Sequence, residues 1–159
     1  MKHLYLMRHA RAAETSGGRG DHARPLTAGG IGQAKVAGRT LALAGVDLIV
    51  SSTAARALQT AQNLGLGVPL ATSDDLYNAG SISVLGVIGL LPEDARVAVV
   101  VGHAPGIPAL AHTLASDDSD PVAWKRVDGH FPPATLVGLE FEGTWAELEA
   151  ARVFLSRHC

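Results

Sequence analysis

A single cysteine, Cys159, ends the chain. It has no internal partner, so no disulfide can staple the fold, and that fits a reducing compartment such as the cytoplasm. Long apolar runs are missing as well. No stretch of roughly 18 uninterrupted apolar residues occurs, so no membrane span is expected. Charge arrives at Arg8 before the apolar core of a secretory leader could develop. Neither sign of charge dominates: 13 basic residues stand against 15 acidic ones, which speaks against nucleic acid as a partner. Any affinity for anions must come from a local cluster. His22, His112, His130 and His158 lack metal-ligand spacing such as His-x-x-x-His. Gly17-Gly18-Arg19-Gly20 lacks the Lys-Ser/Thr end of a phosphate-binding loop and reads as a mobile lid.

What is present suits one globular domain over residues 1–159, with 47% hydrophobic and 18% charged residues and no internal repeat or linker. His3 to Met7 reads as a short buried strand. A polar, Gly-rich loop follows over residues 15–25. Thr27 reads as the N-cap of a helix whose apolar face is Ile31, Ala34, Ala37, Leu41 and Leu43, ended by Gly45. Asp47 to Val50 predicts a second strand. Ser52 or Thr53 then caps a helix through Ala61. Val68 to Ala71 is a weak third strand and Ser81 to Leu91 a helix candidate. Arg96 to Val101 is apolar throughout, as in a strand covered on both faces. A helix over Ile107 to Ala115, an acidic loop over Asp117 to Pro121, and strands over Ala134 to Phe141 and Trp145 to Leu155 complete the reading. Trp124-Lys125-Arg126 reads as surface. The alternation predicts a three-layer αβα sandwich with a mostly parallel central sheet.

In such sheets chemistry gathers beyond the C-terminal strand ends. Arg8-His9, Arg56 and His103 all fall there. Two arginines offer planar paired donors to a phosphoryl group, and a helix N-terminus at Arg56 adds N–H groups. A neutral histidine can attack phosphorus, and nearby arginines disfavour its protonation. A second histidine, protonated beside phosphate, can stabilise the transferring group.

Three motifs in this order carry a resemblance. "LMRHA" (Leu6 to Ala10) resembles the Arg-His-Gly signature of the histidine phosphatase superfamily, also called phosphoglycerate mutase-like. "SSTAARALQTA" resembles its Ser-x-x-x-Arg-x-x-x-Thr-Ala motif, and "VVVGHAPG" its strand ending in Gly-His. "DHARPLTAGG" (Asp21 to Gly30) and the short length resemble the SixA-like branch, described as phosphohistidine phosphatases. The resemblance runs from Leu4 to Leu139 and is weakest after Ala115. It implies His9 as nucleophile, Arg8 and Arg56 holding phosphate, His103 completing the pocket and donating to the transferring group, and no metal or cofactor. Ala10 stands where the family has Gly. Larger members carry a glutamate as general acid. Here the corresponding stretch is Asp74-Asp75-Leu76-Tyr77-Asn78-Ala79, leaving Asp75, Tyr77, a residue of the 15–25 loop, or no acid. A missing acid favours phosphohistidine, whose imidazole is a good leaving group once protonated. The expected partner is therefore a phosphorylated protein. The competing readings are a small phosphorylated metabolite as substrate, or a phosphate-binding module without turnover. Arg24 either orients the loop, touches substrate or pairs with an acid, and Arg11 reaches the rim or is solvated. Short loops predict an open, shallow pocket.

Overall fold

The computed structural model describes residues 1–159. Six strands form one sheet: β1 (Lys2–Arg8), β2 (Leu48–Ser52), β3 (Leu70–Ser73), β4 (Val97–Gly102), β5 (Thr135–Phe141) and β6 (Arg152–His158), in the order β3-β2-β4-β1-β5-β6. The first four are mutually parallel where they pair, and β5 and β6 add an antiparallel edge. Five helices cover it: α1 (Ala28–Leu41), α2 (Ala55–Asn63), α3 (Ser81–Gly89), α4 (Gly106–Leu114) and α5 (Pro121–Val127).

Period-2 alternation divides the core into two layers. Leu4, Leu6, Ala98 and Val100 face a cluster with Val84 and Ile88 of α3, Leu110 of α4 and Ala123 of α5. Tyr5, Met7, Val99 and Val101 face Ala37 and Leu41 of α1 and Ala57 and Ala61 of α2. β4 is apolar at every position and the middle of β1, Leu4 to Met7, is buried, because both faces are covered, which gives the expected three-layer α/β arrangement.

Several local expectations shift. Thr27 caps α1 as read, its Oγ1 accepting from Gly30 N at 3.0 Å, but α1 ends at Leu41 and leaves Leu43 exposed. Neither Ser52 nor Thr53 is the cap residue of α2. Ala54 holds that place; Ser52 Oγ meets His103 and accepts from Ala54 N at 3.2 Å, and Thr53 Oγ1 donates to Asp74. Trp145 to Leu155 is not one strand. Trp145 is fully buried in a 3-10 turn (Trp145–Glu147), its indole donating to Ala95 O at 3.0 Å, and β6 begins only at Arg152. Trp124-Lys125-Arg126 lies at the surface as read, with Lys125 and Arg126 exposed, but within α5, a helix the reading did not include. Its signal was Asp120-Pro121: Asp120 accepts from Ala123 N at 2.7 Å and Pro121 opens the helix.

Candidate active site

Arg8 pairs with Gly102 in the parallel β1–β4 register, so His9 and His103 leave neighbouring strands at the same level. Ser52 ends β2 on the other side of β4. The ring centroids of His9 and His103 lie 5.2 Å apart.

His9 is tied down by its backbone. Its N–H donates to Gly102 O at 2.9 Å and its carbonyl accepts from Ala134 N at 3.0 Å. Its Nδ1 lies 2.7 Å from Ala10 O. A carbonyl only accepts, so Nδ1 carries the proton and the lone pair sits on Nε2. Burial is the largest influence on its pKa, lowering it to about 4; the Ala10 bond opposes this, while Arg56, Arg8 and Arg24 reinforce it. The ring is therefore neutral near pH 7, with burial outweighing the arginines that sequence reasoning emphasised.

The next peptide is held from α2. Thr60, fully buried, accepts from Ala10 N at 3.0 Å and donates to Arg56 O at 2.7 Å. Gly30 lets α1 press against the same segment, since a side chain there would strike the Arg11 carbonyl.

Arg56 is 6% exposed and sends Nε toward His9 Nε2 at 3.3 Å. Arg8 donates through Nη1 to Phe131 O at 2.9 Å, and its buried Nε has no protein partner. Its pKa is lowered by burial and then by Arg56, a sign of two cations held close. His103 Nε2 lies 2.8 Å from Ser52 Oγ, which itself accepts from Ala54 N, while His103 Nδ1 is buried without a partner. Burial, then Arg56 and His9, lower the His103 pKa to about 3. Arg8 and His103 thus carry polar atoms without protein partners beside His9.

Asp21, from the polar loop, joins this group. Its carbonyl accepts from Arg56 Nη1 at 3.0 Å. Its Oδ2 accepts from Arg56 Nη2 at 3.2 Å and Tyr77 Oη at 2.6 Å, and its Oδ1 accepts from Arg24 Nε at 2.9 Å. The Tyr77 bond, with Arg24 and Arg56, holds this carboxyl well below the usual range. It is ionised near neutrality and has no proton to give, which removes it as the general acid left open for the loop. Tyr77 spends its proton on Asp21, and its ring packs 5.6 Å from His103. Asp75 is exposed, and its only described bond is from its own amide to Ser73. Arg24 also donates to Ala13 O at 2.8 Å and so ties the loop. Arg11 is exposed, and its described bonds are backbone ones to Gln33 and Thr27.

Two hollows flank the site. One, about 510 Å³, is wholly polar and includes Glu14, Asp21 and Arg24. The other, about 390 Å³, includes Pro105, Trp124 and Phe131. No helix is long and apolar enough to cross a membrane.

Residues 4–80 match the family model described as histidine phosphatase superfamily (branch 1). An uncharacterized protein of Mycobacterium tuberculosis, Rv1276c, is 37% identical over 146 residues, 90% of this chain and 92% of the relative. A solved candidate phosphohistidine phosphatase SixA from Nakamurella multipartitia is 36% identical with a TM-score of 0.89, over 99% of this chain and 95% of that one. A second, from Agrobacterium tumefaciens, is 28% identical with a TM-score of 0.82, over 99% and 98%.

Proposed function

Because the chain belongs to the histidine phosphatase superfamily, we propose that it is a metal-independent phosphatase working through a phosphorylated His9, with phosphohistidine in a protein as its substrate. The observation that carries this is the His9 imidazole: neutral, proton fixed on Nδ1, lone pair on Nε2 facing the Arg56 guanidinium at 3.3 Å. In the first step Nε2 attacks phosphorus, the N–P bond forms and the bond to the leaving atom breaks. Arg8, Arg56 and His103, which takes a proton from solvent as the dianion's charge favours its protonated form, hold the equatorial oxygens. In the second step water attacks phospho-His9, orthophosphate departs and the imidazole lone pair returns.

The leaving group decides the substrate class. Of the acids weighed from the sequence, Asp21 is ionised, Tyr77 donates to it, and Asp75 is exposed, which supports a reaction that does not depend on a strong acid. A phosphoramidate whose own imidazole is protonated leaves without such help, whereas an alkyl phosphate requires it. The short loops predict an open pocket, which suits a side chain presented on a protein surface.

The test is hydrolysis of p-nitrophenyl phosphate, whose leaving group needs no acid, in excess chelator. The parent should turn over, and His9→Ala should lose at least about a thousandfold. Phosphate binding by the parent without any turnover would overturn the reading in favour of a binding module. Release from a phosphohistidine protein in preference to sugar and nucleotide phosphates would support the substrate assignment, and the reverse preference would remove it.

A further inference from the structure

We propose that Asp21 is a positioning residue for the reaction, gripping Arg56 by its outer end so that its Nε edge is presented to His9 and to the incoming phosphoryl group. The inference rests on the phosphatase reading of the same site. Arginine has five N–H donors in a rigid planar fork, so fixing two of its nitrogens fixes the direction of the third. Asp21 takes both terminal nitrogens at once, Nη1 with its carbonyl and Nη2 with its carboxylate. The remaining Nε points at His9 Nε2. No other protein group is described as accepting from this guanidinium.

Asp21 is itself braced. Tyr77 Oη and Arg24 Nε bind its two carboxylate oxygens, and Arg24 also anchors to Ala13 O. A carboxylate near a dianion site would ordinarily repel the ligand. Here the carboxylate is shared between Arg24 and the outer end of Arg56, and its charge is partly offset by Arg24, so the Nε edge of Arg56 and the whole of Arg8 face the phosphoryl group. The loop over residues 15–25 thus supplies geometry rather than a proton. Its Asp-His-Ala-Arg spacing places Asp21 and Arg24 three residues apart, close enough for the ion pair at 2.9 Å.

Two alternatives make opposite predictions. If Asp21 instead plugs the site by competing with phosphate for Arg56, its removal tightens anion binding. If it only shapes the loop, its removal changes activity independently of Arg56. The experiment measures p-nitrophenyl phosphate kinetics and inhibition by orthovanadate for the parent, Asp21→Ala, Tyr77→Phe, Arg56→Lys and the Asp21→Ala/Arg56→Lys pair. Positioning predicts that Asp21→Ala weakens vanadate inhibition and lowers kcat/KM by about ten- to a hundredfold, with a melting temperature close to the parent's because the side chain is half exposed. Tyr77→Phe, which removes one brace, should lose less. With Arg56→Lys already present, Asp21→Ala should add less than about twofold, since the group it positions is gone. Tighter vanadate binding, an unchanged kcat/KM, or a full additional loss in the Arg56→Lys background would each overturn the proposal. A parent that hydrolyses nothing would instead count against the phosphatase reading itself.

Discussion

Replacing Thr60 by Val keeps the volume of a fully buried side chain and removes only its hydroxyl. That hydroxyl bridges two parts of the site: it accepts from Ala10 N at 3.0 Å and donates to Arg56 O at 2.7 Å. Ala10 is itself fully buried, so the stranded amide has no water to turn to. An orphaned buried donor costs about 1–3 kcal/mol. For a chain of this size that lowers the melting temperature by roughly 3–10 °C. The kinetic effect has a separate origin. Ala10 O is the acceptor that keeps the proton on His9 Nδ1, so a loosened Ala10 peptide lets the ring turn and its Nε2 drift. A loss of about tenfold in kcat is expected from such misalignment. Thermal denaturation and p-nitrophenyl phosphate kinetics measure both quantities, with Thr60→Ser as the control that restores the hydroxyl and should recover most of kcat. Parental melting and kcat in Thr60→Val would refute the reasoning, because Ala10 N–H would then have no need of Thr60.

Two further outcomes follow from the histidines. His9 and His103 have pKa values of about 4 and about 3 in the folded chain against an ordinary 6.5, so over that interval the unfolded chain binds more protons than the folded one. Their contribution to stability is whole above about pH 6.5 and is lost as pH falls toward about 4. Urea midpoints across that window should decline in the parent and decline less in His9→Gln/His103→Gln; equal slopes would contradict the assignment. Ser52→Ala removes the hydroxyl 2.8 Å from His103 Nε2, an atom that can donate to the neutral ring or accept from the protonated one. Kinetics with p-nitrophenyl phosphate should show kcat/KM lower by about tenfold, and an unchanged value would mean that His103 does not act in its protonated form.

The sequence was most legible where local pattern and tertiary setting agree. Val97 to Gly102 is apolar because both sheet faces are covered, and such a strand cannot be mistaken for a loop. Alternation places Arg8-His9, Arg56 and His103 beyond strand ends, but the strand order that makes β1, β4 and β2 neighbours and so brings them together is a property of the fold, not of the pattern. Legibility failed where long-range contacts decide. The partial alternation around Trp145 suggested a strand, but the indole is drawn into the core by Ala95 O, a partner fifty residues away. The caps of α2 were misplaced by a residue or two: Ala54 is the cap, Ser52 accepts from its amide while meeting His103, and Thr53 donates to Asp74. Asp21 was visible in the polar loop and at the head of the Asp21 to Gly30 stretch, but without a role. Its grip on Arg56, thirty-five positions further on, is made by folding the loop across the mouth of the site. Thr60 stood within the quoted second motif, but nothing local shows that its hydroxyl reaches Ala10.

The central claim is that phosphorus passes through His9 Nε2. Rapid quenching of the enzyme during turnover, at alkaline pH where phosphohistidine survives, followed by peptide mass spectrometry tests it most directly. The account predicts one phosphoryl adduct on the peptide bearing His9, formed and discharged in excess chelator and missing from His9→Ala. Sustained turnover with no adduct, or with the adduct on His103, would contradict it.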